Sequence, residues 1–374
     1  MRRGLPALGA ATLLVMGGGG PAQAVAPAVA RGAAPAPLCR LADPRISESS
    51  GVVASSLQDD VWFTHNDSGD TARFFAVDAT CRTRAVYPLP GVPARDWEDI
   101  ARGPGPTGAP TLWLGDIGDN DATRDQGILV HAVAQPTVPA AAPAPTVPVA
   151  STPHRLLYPD GPHDAETLLA DPRTGRLFVV TKTYSGQAKV FGAPLPLPAR
   201  GTLTELGTVT TRLTGTPGGP PAAGALGELS VTGGDVSPDG SLVVLRTYTD
   251  AYLYRVPGAG PDAVARAVTG TPTVVPLPES PQGEGIAFTR DGRELVTTSE
   301  SVGAPVFRLP VPALEQPGAS PGAGPPTGVA AARRSGSGGG LLPVAAGGVA
   351  VVVGAVVVGL VWRRRRTLRR GAGA

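Results

Sequence analysis

The chain has 374 residues, 32 basic and 30 acidic, for a formal net charge of +2. That figure hides a segregation: Arg2, Arg3 and six arginines after residue 362 lie outside residues 25–340, which keep 24 basic residues against all 30 acids, a net −6. An acidic central region excludes a nucleic-acid binder and favours cations or neutral ligands.

Residues 1–24 carry Arg2 and Arg3, an apolar run from Leu5 to Met16 and Ala22-Gln23-Ala24. A charged n-region, an apolar h-region and a small-x-small site read as a secretory signal peptide. Residues 25–37 are Ala/Pro-rich and read as disordered.

From 38 to 310 the pattern is short strands and tight turns. Five phrases open strands: Ser49-Ser50-Gly51-Val52, Trp97-Glu98-Asp99-Ile100, Ala165-Glu166-Thr167-Leu168, Gly233-Gly234-Asp235-Val236 and Gly283-Glu284-Gly285-Ile286. A repeat of roughly 50–70 residues signals a β-propeller with one repeat per blade. Second strands are expected at Val61–Thr64, Leu112–Leu114, Leu177–Val180, Leu242–Leu245 and Leu295–Thr298. Third strands follow at Arg73–Val77, Ile128–Ala132, Lys189–Ala193, Tyr252–Val256 and Val306–Leu309. Fourth strands are expected at Thr83–Tyr87, His154–Leu157, Leu203–Thr211 and Thr273–Leu277. No helical period of useful length stands out. The fifth repeat lacks its outer strand, and Leu38–Leu41 is the only spare one. The N-terminus is therefore expected to complete the last blade and close the ring. The fold class is all-β, a five-bladed propeller. Six blades are the alternative if residues 212–228 hide a degenerate one.

Two cysteines, Cys39 and Cys81, are an even count in an exported chain and read as one disulfide. The bridge would pin the closing strand to blade 1.

Residues 311–340 are rich in Pro, Gly, Ala and Ser and read as a flexible stalk. Residues 341–362 hold no charge over 22 positions, long enough to span a ~30 Å hydrocarbon core. The arginine-rich tail, 363–374, would hold the C-terminus in the cytoplasm. The expected location is the plasma membrane, by a single pass, with the propeller outside.

In a four-stranded blade, strand one starts on the face where strand two ends. The aligned opening positions hold Ser50, Glu98, Glu166, Gly234 and Glu284. Two residues earlier stand Glu48, Asp96, Asp164, Thr232 and Gln282. One face thus gathers about a dozen carboxylates, and crowded carboxylates raise one another's pKa or recruit a cation. Glu98, Glu166 and Glu284, then Asp116 and Asp235, are the candidate metal ligands. Hard oxygen donors suit Ca²⁺ first and Mg²⁺ second. Lys182, Arg246, Glu300 and Asp67 are candidate ligand-binding groups. His65 and His163 are candidate proton carriers.

Three segments carry a resemblance: Asp96-Trp97-Glu98-Asp99-Ile100, Trp113-Leu114-Gly115-Asp116-Ile117-Gly118-Asp119-Asn120, and Gln282-Gly283-Glu284-Gly285-Ile286-Ala287-Phe288. Over about Ile46 to Leu309 the chain resembles the SdiA-regulated family of five-bladed propellers. It is similar, more loosely, to phytase-like and gluconolactonase-like propellers. The resemblance implies an exported propeller holding Ca²⁺ on its axis. The phytase-like relatives imply metal-dependent phosphoester or ester hydrolysis, through a fuller set of channel carboxylates than Ser50 and Gly234 allow here.

The expectation is a membrane-anchored surface propeller that binds a divalent cation and a small polar ligand, such as a wall saccharide, in an acidic funnel. The alternatives are a metal-dependent extracytoplasmic phosphoester or ester hydrolase and a protein-interaction scaffold.

Overall fold

The computed structural model describes residues 36–140 and 143–314. The segments read as a signal peptide, as disordered up to residue 35, as a stalk beyond residue 314, as a membrane span and as a basic tail lie outside the described residues. Among the described residues no helix is long and apolar enough to cross a membrane.

Among the described residues twenty-one strands form five sheets. Their inner strands are Ser49–Ala54, Trp97–Pro104, Ala165–Ala170, Val231–Val236 and Gly283–Phe288. Each inner strand lies against the next in ring order, and the last lies against the first. Each then pairs outward, antiparallel, with the next strands of its own repeat. The sheets are numbered here as blades 1 to 5.

Five hydrophobic clusters fill the ring, one at each blade junction. Blades 1 and 2 share Phe63, Phe74, Trp97 and Leu112. Blades 2 and 3 share Trp113, Ile128, Leu168 and Leu177. Blades 3 and 4 share Leu169, Phe178, Val236 and Val243. Blades 4 and 5 share Val244, Leu253, Ile286 and Phe288, and blades 5 and 1 share Val296, Val306, Val52 and Trp62. Both faces of each blade are therefore covered. This is why Ser49–Ala54, Ala165–Ala170, Val231–Val236 and Gly283–Phe288 are buried at every position rather than at alternate ones.

Ring closure follows the expected course. Cys39–Arg40 pairs with Pro305–Pro310 as the outer strand of blade 5. Cys39 is disulfide-bonded to Cys81, Cα to Cα 5.8 Å, and Cys81 sits in the turn after the third strand of blade 1.

Three features differ from the sequence reading. The stretch 212–228 is not a sixth blade. It is a loop running into a 3₁₀ turn, Gly224–Leu229, pinned where Glu228 accepts the Thr214 and Gly215 amides at 2.6 and 2.7 Å. A helix, Ala263–Val268, precedes the outer strand of blade 4 and buries Val264 and Val268 between blades. Six residues are too few to show a helical period. Blade 2 also gains a fifth, parallel strand, Arg200–Thr202, beside Thr152–Leu157.

Candidate acidic site on the propeller axis

Every inner strand opens on an irregularity in its pairing with the second strand. The register shifts between Ser49 and Val52, Trp97 and Asp99, Ala165 and Thr167, Val231 and Gly233, and Gly283 and Ile286. A β-bulge leaves a residue out of the ladder and re-aims its side chain. The residues so placed include Ser50, Glu98, Glu166, Thr232 and Glu284. The aligned residue of blade 4 is thus Thr232, not Gly234. The Gly-Gly-Asp phrase gave a match shifted by two.

The five positions divide by chemistry. Ser50 and Thr232 donate to carbonyls of the next inner strand, to Glu98 O at 2.6 Å and Gly283 O at 3.1 Å. The three glutamates are buried and interact with one another. Glycine beside the bulges lets the strands approach so closely. A Cβ at Gly51 would lie 2.5 Å from the Ile100 nitrogen, and one at Gly285 2.5 Å from Ser50 O.

On the blade 1 and 2 side, Asp67, Asp96 and Glu98 each bring one carboxylate oxygen within 4.8 Å of the others. Their exposures are 8, 4 and 3%. Asp67 reaches the cluster because its amide donates to Glu48 O at 2.9 Å, turning the chain inward after the second strand. Its Oδ1 is buried with no hydrogen-bond partner. On the far side, Glu166 forms an ion pair with Lys182, whose ammonium also donates to the Tyr248 hydroxyl at 3.0 Å. Glu166 Oε2 and Glu284 Oε2 are buried without hydrogen-bond partners. Glu300 interacts electrostatically with Asp67, Glu166 and Glu284.

Burial first, and neighbouring carboxylates second, raise Asp67, Glu98 and Glu284 well above the usual carboxylate range. Burial pushes Glu166 up to about 8 against the pull of Lys182. Burial works against the Lys182 ammonium, but Glu166, Tyr248 and Glu284 hold its pKa well above the ordinary value. A carboxyl whose folded pKa exceeds its unfolded one keeps its proton in the native state while the unfolded chain releases it. Native stability then falls as pH rises between the two values. For Glu166 that window runs from its ordinary 4.5 to about 8. His65, lowered to about 4 by burial, acts oppositely below 6.5, but it is one group against several. Without divalent ions, urea unfolding should show the protein less stable at about pH 8 than at about pH 5.

The other sequence-predicted site residues have other work. Asp116 accepts the Arg95 and Asp96 amides at 3.2 and 3.1 Å and pairs with Arg124, so it positions Asp96. Asp235 lies deeper. It accepts the Val236 and Phe288 amides at 2.8 and 2.9 Å and lies 3.7 Å from Arg102. Arg246 is fully buried and donates to carbonyls of Gly285, Thr298, Thr247 and Tyr248, which occupies its fork with backbone. His65 sits at the blade 1–2 junction, edge-on to Trp97 and with Nδ1 2.9 Å from Asn66 O. His163 contacts Asp160 at 2.8 Å and packs on Tyr158 and Phe191. Neither histidine joins the carboxylate cluster. Asp96, which the sequence sets on this face two residues before Glu98, joins the cluster in addition to the expected ligands.

No family model and no curated protein matches the sequence. Matches among solved structures are of low similarity. XC5397 from Xanthomonas campestris, described as a gluconolactonase, is 13% identical over 73% of this chain and 91% of its own, with a TM-score of 0.39. Hydrazine synthase of Kuenenia stuttgartiensis is 11% identical over 77% and 99%, at 0.37. A chain of the mitotic checkpoint complex is 13% identical over 70% and 64%, at 0.31. Scores this low carry no argument about function. The sheet order by itself makes this chain a five-bladed β-propeller with an acidic cluster at one mouth of its axis.

Proposed function

We propose that the protein is a membrane-anchored surface propeller that binds a divalent cation, Ca²⁺ before Mg²⁺, at Asp67, Asp96 and Glu98. One observation carries the reading: three buried carboxylates converge within 4.8 Å, with the Asp67 Oδ1 left without a hydrogen bond. Such groups cost free energy unless a proton or a cation neutralises them. Oxygen donors without sulfur or imidazole select the hard ions. The reading rests on the cation alone, and the small polar ligand suggested by the sequence is not assigned to these three residues. His65 and His163 stand outside the cluster and lend the hydrolase alternative no support. A turnover screen over phosphoesters, esters and lactones in Ca²⁺ is expected to be negative.

Lys182 tests the electrostatics. Removing a neighbouring positive charge is worth about 1–2 kcal/mol at an effective dielectric near 20. Lys182→Met should therefore bind Ca²⁺ roughly tenfold more tightly by calorimetry. Unchanged or weaker affinity would mean that the Lys182 charge does not act on a cation at Asp67, Asp96 and Glu98.

A further inference from the structure

We propose that the opposite mouth of the axis binds a small molecule with a carboxylate head and an apolar body. The acidic cluster lies at the starts of the inner strands. At their far ends a cleft of about 550 Å³ opens, lined by Ser56, Arg102, Pro104, Pro172, Pro238 and Arg290 among others. Every blade contributes, so the cleft sits on the axis. Its size falls within the range of small-molecule sites.

The lining holds two arginines and no carboxylate. Arg102 is 7% exposed. Its guanidinium donates to Ala54 O at 3.1 Å and Phe288 O at 3.3 Å and lies 3.7 Å from Asp235. A guanidinium has five N–H donors. Two go to these carbonyls, and Arg102 lines the cleft, so donors remain for a planar oxyanion bound there. Arg290 stands across the opening, donating to Ser56 O at 3.2 Å and pairing with Asp59 at 2.7 Å. Asp59 is 79% exposed in its side chain, so that pair is screened and can yield to a ligand. Asp235 already supplies one negative charge beneath Arg102, which favours a monoanion over a phosphate dianion. The walls are prolines with Val236. Proline fixes φ and offers no N–H, so the walls are stiff and apolar, and little ordering is needed on binding.

The test is calorimetric titration of the full-length protein in Ca²⁺ with benzoate and cyclohexanecarboxylate, each against its own amide and against inorganic phosphate. The acids should bind saturably, the amides and phosphate at least tenfold more weakly. Arg290→Ala should weaken the acids at least tenfold and leave the amides unchanged. Pro110 also lines the cleft, and Pro110→Trp, which fills it, should abolish binding. Both variants should keep the wild-type Ca²⁺ response, which separates this mouth from the axial cation site. If Arg290→Ala fails to fold, the Pro110→Trp result decides alone. No saturable binding of the acids, equal binding of acid and amide, tighter binding of phosphate, or wild-type affinity in Pro110→Trp would each overturn the proposal.

Discussion

Arg246→Ala is expected to destabilise the protein by about 3–5 kcal/mol, the range for removing one partner of a buried charged network. Arg246 comes from the second strand of blade 4, but its fork reaches Gly285 O at 2.8 Å and Thr298 O at 3.1 Å in blade 5. It also bonds Thr247 O and Tyr248 O in its own blade. Burial lowers its pKa to about 10, with Glu284 the chief opposing influence, so the charge persists at neutral pH. Alanine leaves those carbonyls and Glu284 without their cation in a site closed to water. Lysine keeps the charge but not the planar fork, so Arg246→Lys should recover only part of the loss. Urea unfolding orders the three proteins. Equal midpoints for wild type and Arg246→Ala would mean that water replaces the guanidinium.

Loss of the Cys39–Cys81 bridge is expected to cost about 4 kcal/mol in the chain-entropy model, for a sequence separation of 42. In a domain of this size that lowers Tm by roughly 7 °C. The outer strand of blade 5 is only two residues long, held beside the bridge by Leu38 N to Val306 O at 2.8 Å and Leu41 N to Ala304 O at 3.0 Å. Released, it would leave Pro305–Pro310 as an open sheet edge. In Cys39→Ser/Cys81→Ser the Leu38 and Leu41 amides should exchange with solvent far faster, while those of the Leu242–Thr247 strand in blade 4 change little. Unchanged exchange at Leu38 and Leu41 would show that the strand holds itself.

These two cases show what the sequence exposes. Closure was legible because a missing strand, a spare strand and two cysteines agreed. The glutamates were legible because Glu98, Glu166 and Glu284 share one repeat position. Blade 4 misled because its bulge residue, Thr232, carries no charge, while Asp235 beside Gly234 resembled the pattern. Asp116 and Arg246 looked like site residues because charged groups at strand ends resemble ligands. Their partners are backbone groups and an arginine brought near by the fold, which no residue pattern encodes. The same holds for Arg102, whose carbonyl partners come from blades 1 and 5. His65 failed because a position at a strand end does not say whether a side chain faces the axis or the next blade, and here Trp97 receives it.

The central claim is that Asp67, Asp96 and Glu98 hold a divalent cation. Thermal unfolding of the purified protein with and without Ca²⁺ tests it directly, beside Asp67→Asn/Glu98→Gln. A ligand that binds only the folded state at one hundred times its dissociation constant adds about 2.7 kcal/mol, which raises Tm by roughly 5 °C in a domain of this size. That rise is expected in the wild type, and its loss in the double variant. An unchanged wild-type Tm, or an equal rise in both proteins, would contradict it.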